Sequence, residues 1–302
     1  MSKSTKWFLI ILGALLLLAI GCTAMFLALI SSATERTETV TVGSGDKLAL
    51  IDLRGVIVTS DDVVRQLKKY RDARGVRGIV LRIDSPGGGV VASQEMYEEV
   101  RKVRESGKPV IVSMGALAAS GGYYVACGGT RLVANRGTLT GSIGVISEFL
   151  QLKNALDKLG IDLKTIKAGK LKDAGSPTRK MTDEDQQYFQ SLMDQVHEQF
   201  MEVVARERHL DAKKVRSLAD GRVFTGEQAV ELGLVDTIGT FEDAVHIAAK
   251  IAGIAGEPAI VKERKRQAWF DSMFGDAGEA LRELKQEIVD RPVLSYRFAG
   301  GE

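Results

Sequence analysis

The chain has 302 residues, of which 45% are apolar and 26% are charged, and it contains only five prolines. This composition predicts a folded protein with one large or two small hydrophobic cores, and it excludes extensive disorder. Lysine and arginine number 41 against 39 acidic residues, which gives a formal charge of +2. So small an excess argues against a dedicated nucleic-acid-binding surface, and no nucleic-acid partner is expected.

The N-terminus carries two lysines within residues 1–6, followed by an uncharged apolar run over residues 7–30. As a helix, this run would extend roughly 36 Å, enough to cross a bilayer core of about 30 Å. We therefore predict a transmembrane anchor at 7–30. A cleaved secretory signal would have a shorter apolar core. A lipid-modified Cys22, in the sequence Ala-Ile-Gly-Cys, is the other alternative.

The positive-inside rule places residues 1–6 in the cytoplasm and the chain after about residue 31 outside it. Residues 31–46 are polar and suit a stalk, and residues 47–255 form the predicted globular domain. The remaining segment, 256–302, joins basic to aromatic residues and then has a helical pattern. It could lie on anionic lipid or a neighbouring subunit, but an ordinary terminal helix with a solvated face is favoured.

Strand and helix patterns alternate along the globular domain, which predicts an α/β fold with a mainly parallel sheet packed between helices. The predicted strands are 47–53, 78–83, 109–114, 143–146 and 163–166. The predicted helices are 61–70, 93–105, 118–127, 153–159 and 182–208, the last with Thr182 and Asp185 as a start signal.

Two glycine-containing segments follow predicted strands, where open α/β sheets place their ligand sites. The first is Asp84-Ser-Pro-Gly-Gly-Gly89, which could be an ordinary turn or a loop whose amides approach a ligand. The second sets Ser120 between small residues, just before a predicted helix. The Gly121 amide could then stabilise an oxyanion, although close packing of small residues is the simpler alternative.

A lysine could serve as the base for such a serine. A free lysine has a pKa near 10.4, so a neutral amine at physiological pH needs a desolvated pocket that lowers the value by about 3 units, or roughly 4 kcal/mol. Lys170, Lys172 and Lys180 are all candidates, and spacing does not separate them.

The chain also contains three histidines, His197, His209 and His246, for which solvated helix surface is the default assignment. A serine–histidine triad is not excluded by spacing, because the order of triad residues varies between folds. Cys127 is predicted to be a small buried apolar residue. Cys22 lies in the predicted anchor, so no disulfide between the two cysteines is expected.

The chain resembles the signal peptide peptidase A (protease IV) family of bacterial membrane-bound serine peptidases. The resemblance covers about residues 48–239 and lies in five blocks in one order: Asp84-Ser-Pro-Gly-Gly-Gly, Met114-Gly-Ala-Leu-Ala-Ala-Ser-Gly-Gly-Tyr-Tyr, Leu139-Thr-Gly-Ser-Ile-Gly-Val, Gly169-Lys-Leu-Lys-Asp-Ala-Gly-Ser-Pro, and Asp220-Gly-Arg-Val-Phe-Thr-Gly-Glu-Gln-Ala with Gly-Leu-Val-Asp236. It implies a Clp protease/crotonase-like fold of repeated ββα-type units.

The resemblance also implies roles for five residues. Ser120 matches the nucleophile, Lys172 the general base, Gly88 and Gly121 the oxyanion-hole amides, and Ser142 a hydroxyl that orients the lysine amine. By contrast, Asp84 is expected to shape its loop. No metal or organic cofactor is implied.

As a short member with one copy of the fold, the chain is further implied to form a ring or dome of identical subunits on the outer face of the bacterial cytoplasmic membrane. Active sites would be shared between neighbouring subunits, and the substrates would be peptides, chiefly remnant signal peptides. A crotonase-like acyl-CoA enzyme would share the fold without depending on Ser120, and a non-catalytic membrane scaffold would need neither Ser120 nor Lys172.

Overall fold

A computed structural model of the chain describes residues 37–265 and 295–297, together with the isolated positions Trp7, Gly21 and Thr23. The predicted anchor at 7–30, apart from those three positions, and the predicted helical pattern after residue 265 lie outside the described residues. No helix among the described residues is long and apolar enough to cross a membrane. The chain divides into two compact units, residues 1–40 with 263–283, and residues 41–262 with 284–302. Every residue of the candidate site lies in the second unit.

The strands within the described residues are β1 Thr37–Val42, β2 Lys47–Arg54, β3 Val76–Ser85, β4 Gly87–Gly89, β5 Val110–Ala119, β6 Arg131–Ala134, β7 Leu139–Gly141, β8 Val223–Thr225, β9 Thr237–Ile238, β10 Ala259–Lys265 and β11 Ser295–Arg297. The helices are α1 Asp61–Asp72, α2 Val90–Glu105, α3 Gly121–Ala126, α4 Lys153–Lys158, α5 Asp183–Arg208, α6 Ala212–Leu218, α7 Gly226–Leu232 and α8 Phe241–Ile251.

The central sheet of the second unit has the strand order β10-β2-β3-β5-β6-β9, and these neighbouring strands are all parallel. A mainly parallel sheet with helices between its strands confirms the predicted α/β class. The ends of β5 and β7 also pair in parallel, and β7 pairs antiparallel with β8. Parallel strands covered on both faces read as continuous apolar runs, as β2, β3 and β5 do.

Alternate residues along these strands face opposite sides of the sheet, and each side has its own apolar cluster. Leu48, Val80 and Ile111 are fully or almost fully buried on the side that α8 covers. Ile79 and Val112, each one position away from these, belong to the larger cluster that includes residues of α1, α2, α3 and α5. Because both faces are covered, the register of the central strands is fixed along their length.

Two predicted strands are absent from the positions assigned by the sequence pattern. The strand expected at 143–146 is instead β7 at 139–141, because Ser142 has a left-handed φ of 50° that ends it. The strand expected at 163–166 is wrong, since this exposed stretch has no regular structure and no sheet neighbour. The long helix is confirmed as α5. Its predicted start signal forms a capping box, in which Thr182 and Asp185 each bind the other's backbone amide.

Candidate active site

Ser120 lies at the junction between β5 and α3, and its side chain is buried, with 1% of the residue exposed. Its backbone has φ 53° and ψ −116°, a conformation that glycine adopts much more readily than serine. The Ser120 amide donates a 2.8 Å hydrogen bond to the carbonyl of Gly141, and its carbonyl accepts from the amide of Tyr124. A strained backbone held on both sides is typical of residues with a functional constraint.

Gly88 and Gly121, the two glycines predicted to supply oxyanion donors, lie directly beside each other. A Cβ atom placed on Gly121 would be 3.1 Å from the Gly88 backbone nitrogen and 2.6 Å from Ser93 Oγ. A Cβ atom on Gly88 would be 2.1 Å from the carbonyl oxygen of Ile57. Neither position has room for a side chain, and both belong to segments that meet at Ser120. The structure therefore brings the predicted nucleophile and the two predicted amides together.

The loop that carries Gly88 is held by the segment after β2. Ser85 Oγ donates a 2.6 Å hydrogen bond to the Gly55 carbonyl and accepts one of 3.1 Å from the Gly87 amide. The Ile57 amide donates to the Gly87 carbonyl, and the Ile57 carbonyl accepts from the Gly89 amide. The predicted glycine loop is thus a short strand, β4, with a fixed backbone. No role for Ser85 was predicted from the sequence, although its position next to the glycines of the loop could have indicated one.

Asp84 binds a bulge in β5 close to the candidate nucleophile. Its Oδ1 atom accepts a 3.1 Å hydrogen bond from the Leu117 amide. A Cβ atom on Gly115 would lie 2.7 Å from the carboxyl carbon of Asp84, so this glycine leaves the space that the carboxylate fills. These contacts agree with the expectation that Asp84 shapes the local backbone.

Ser142 is the second serine of the site, and the end of β7 brings it to Ser120. Ala119 is paired with Gly141 in the β5–β7 register. Ser142 therefore directly follows the residue whose carbonyl accepts a hydrogen bond from the Ser120 amide. Ser142 is 5% exposed and its amide donates to the Arg222 carbonyl. Both serines therefore occupy left-handed backbone positions at adjacent strand ends.

Lys172, the predicted base, lies on the segment between α4 and α5, and its own side chain is exposed. Among the described residues its ammonium group makes no hydrogen bond to Ser120 or Ser142. The desolvated pocket that a neutral lysine requires is therefore not formed around it by the described part of one chain. Of the alternatives, Lys170 is ion-paired with Glu184 at 2.6 Å and Lys180 is exposed.

The expectation of a solvated surface is wrong for one of the three histidines. His197 is half-buried on α5, and its Nε2 atom lies 3.2 Å from the carbonyl oxygen of Ile143, which is the residue after Ser142. His209 and His246 are exposed, as expected. Within the part of the chain that the structure describes, no histidine ring is hydrogen-bonded to Ser120. His197 thus supports the Ser142 turn, a role that its sequence position did not indicate.

Cys127 is buried in the core next to α3, as predicted, and burial raises the pKa of its thiol to about 12. A thiol in this environment stays protonated and unreactive at physiological pH. No group of three or more His, Cys, Asp or Glu side chains is arranged as a metal site among residues 37–265 and 295–297.

A segment near the C-terminal end of the sequence pairs with one edge of β4. Strand β11 pairs with β4 in antiparallel orientation, with Tyr296 opposite Gly88. It also lies against α2 and α3. The backbone edge that contains the predicted oxyanion donor therefore already accepts an extended peptide chain.

Comparison with known proteins adds a family assignment to this geometry. The sequence profile of peptidase family S49 matches residues 102–255, and that of Clp protease matches residues 55–147. A candidate protease of Synechocystis sp. is 45% identical over 210 residues, which cover 69% of this chain and 75% of the relative. A candidate signal peptide peptidase SppA of Enterococcus faecium is 34% identical over 270 residues, covering 85% of this chain and 78% of the relative. Protease 4 of Haemophilus influenzae is 34% identical over 226 residues, covering 71% of this chain and 36% of the longer relative.

Proposed function

Because the chain belongs to peptidase family S49, we propose that it is a serine endopeptidase whose nucleophile is Ser120 and whose general base is Lys172. The observation that carries this proposal is the meeting of Gly88 and Gly121 at a buried, strained Ser120. Two preorganised backbone amides beside a hydroxyl are the arrangement that acyl transfer requires, since the negative charge develops on the substrate oxygen.

In the proposed reaction, Ser120 Oγ attacks the carbonyl carbon of the scissile peptide bond while the neutral Lys172 amine accepts the hydroxyl proton. The amides of Gly88 and Gly121 stabilise the oxyanion. The protonated amine then gives its proton to the leaving nitrogen, and water hydrolyses the acyl-enzyme with Lys172 again acting as base. Ser142 accepts or donates a hydrogen bond at the lysine amine and so orients it. No metal or organic cofactor takes part.

We further propose that a second copy of the chain completes the site. Lys172 is exposed, and residues 150–171 before it also expose large apolar side chains, including Leu150 (68% exposed), Leu159 (72%) and Ile166 (92%). Such a concentration of exposed apolar surface is typical of an interaction site. A neighbouring subunit packed against it would exclude water from the lysine and bring it to Ser120. In a ring or dome of identical subunits, every active site would be completed by a neighbouring subunit in the same way.

The proposed substrates are apolar peptides, in particular remnant signal peptides, at the outer face of the cytoplasmic membrane. Three observations support this. One relative is named as a signal peptide peptidase. The uncharged run at 7–30 would hold the enzyme in the same bilayer. An extended chain already pairs with β4, so a peptide could bind there by adding a strand.

The test is labelling of the full-length chain in detergent with a serine-reactive phosphonate probe, followed by peptide mapping. Labelling is expected at Ser120 and is expected to be lost in Ser120→Ala and in Lys172→Ala. Lys170→Ala is the matched control, because it removes a lysine two positions away that is already ion-paired, and it should label normally. Absence of labelling in an oligomer confirmed by light scattering would reject the peptidase and favour the scaffold. Labelling that survives in Lys172→Ala would reject the base.

A further inference from the structure

We infer that Arg179 is the positioning residue for Lys172, because its guanidinium joins the segment that carries Lys172 to the buried carboxylate of Asp185 in the first turn of α5. This inference rests on the proposed function, in which Lys172 is the base. It adds a residue that acts through Lys172, without contact to the substrate.

The guanidinium binds Asp173, the residue next to Lys172. Arg179 Nη2 donates a 3.1 Å hydrogen bond to Asp173 Oδ1, and Nε lies 3.0 Å from Oδ2 in an ion-pair contact. Lys167 also pairs with Asp173. The backbone position of the residue beside the proposed base is therefore held by charge-assisted contacts, which are stronger than neutral hydrogen bonds.

The same guanidinium binds Asp185 at its other side. Nη2 donates a 3.0 Å hydrogen bond to Asp185 Oδ1, and Nη1 pairs with Oδ2. Asp185 is only 2% exposed and is a member of the capping box that starts α5: the Thr182 amide donates to Asp185 Oδ2 at 3.0 Å. A helix of 26 residues with buried core positions is a rigid anchor. Lysine could not replace this bridge, because it lacks the planar fork that reaches two carboxylates.

Packing also holds this segment at Gly175, two residues after Asp173. A Cβ atom placed on Gly175 would lie 2.8 Å from the Phe149 ring and 3.2 Å from the Phe189 ring. The two rings contact each other with centroids 4.3 Å apart. By contrast, all residues from 157 to 170 are exposed. The contacts of residues 173–185 are thus what determines the place of Lys172, and a displacement of about 1 Å at a catalytic group can cost roughly 10²-fold in rate.

Charge balance gives Arg179 a second effect on Lys172. The charged groups of this cluster are Asp173, Asp185, Arg179 and Lys167, with the Lys170–Glu184 pair beside it. Hydrogen bonds from Arg179 and then from Lys167 lower the pKa of Asp173 to about 2. Asp173 is therefore an anion throughout the working range of pH. If Arg179 were removed, this carboxylate would lose its main partner, and its negative charge, one residue from Lys172, would no longer be balanced.

The experiment compares kcat, KM and the pH dependence of kcat/KM for the full-length oligomer and its variants. Arg179→Ala is expected to lower kcat about 10- to 100-fold with little change in KM, and to move the acid limb of the profile to higher pH. Added guanidinium ion should restore part of the activity. In Arg179→Lys, the acid limb should lie at the wild-type pH again, because the positive charge is present. Its kcat should stay low, because lysine cannot bridge Asp173 and Asp185.

Arg216→Ala is the matched control, because Arg216 also binds a carboxylate with both oxygens, that of Glu198, but on an exposed surface. It should behave as wild type. If Arg179→Ala does not assemble, Asp173→Asn tests the same bridge and should lower kcat while moving the acid limb to lower pH. Wild-type kcat and pH profile in both variants would overturn the inference. Activity that persists in Ser120→Ala or Lys172→Ala would instead reject the proposed function, so the two failures are distinguishable.

Discussion

The amide of Ser120 donates a 2.8 Å hydrogen bond to the carbonyl oxygen of Gly141, although 20 residues separate them along the chain. This bond joins the ends of β5 and β7, where Ser120 and Ser142 both have left-handed backbone conformations. The proposed nucleophile and the hydroxyl proposed to orient its base are therefore held by one backbone contact. Flexible side chains are not needed to bring them together, so the geometry exists before substrate binds.

Gly121→Ala is expected to lower kcat about 10²- to 10³-fold, the usual cost of losing an oxyanion donor. The added methyl would meet Ser93 Oγ at 2.6 Å and the Gly88 nitrogen at 3.1 Å, so it would displace the two amides. Gly137→Ala is the control, because a Cβ atom there meets nothing within 4 Å. Both variants should be assayed with a fluorogenic apolar peptide. Wild-type turnover in Gly121→Ala would contradict the assignment of the oxyanion hole.

Ser120→Gly is expected to be inactive but more stable than Ser120→Ala by about 1 kcal/mol, because glycine adopts φ 53°, ψ −116° with little strain and alanine does not. Both variants lack the hydroxyl, so the comparison isolates the backbone. Urea unfolding of the two variants measures the difference. Equal stability, or a less stable glycine variant, would show that the nucleophile position stores no strain.

Subunits that lack Ser120 and subunits that lack Lys172 should complement each other if each site is shared. Each variant alone is expected to be inactive. Random assembly of equal amounts should place an intact serine beside an intact lysine at about a quarter of the sites, and peptidase activity should recover to that extent. The oligomers must be mixed by unfolding and refolding and verified by mass spectrometry. No recovery in verified mixed oligomers would place both residues of a site in one chain.

Deletion of residues 295–302 should lower KM for peptides several-fold and accelerate labelling of Ser120, with kcat unchanged. The reason is that β11 occupies the edge of β4, and one backbone edge pairs with only one strand at a time. Deletion of residues 298–302, which leaves β11 in place, is the matched control and should resemble wild type. An unchanged KM after the longer deletion would mean that peptides bind elsewhere.

Local patterns in the sequence determined much of this protein. The apolar runs of β2, β3 and β5 and the capping box of α5 were predicted, because each depends on neighbouring residues only. The roles of Ser120, Gly88 and Gly121 followed from motif resemblance, and the fold brings these three residues together. Their roles in catalysis stay predictions.

Other features depended on contacts between residues far apart in sequence, which only the tertiary structure decides. Parallel pairing of β5 with β7 placed Ser142 beside Ser120, and packing of α5 brought His197 to the turn after Ser142. Asp173, Arg179 and Asp185 are close together in the sequence. The ion pairs between them nevertheless hold a fixed position only because Asp185 is buried in the folded chain. A strand was also predicted at 163–166, where apolar residues are exposed and have no sheet neighbour. Periodicity records which residues are apolar, whereas the surface they pack against is set by the whole fold.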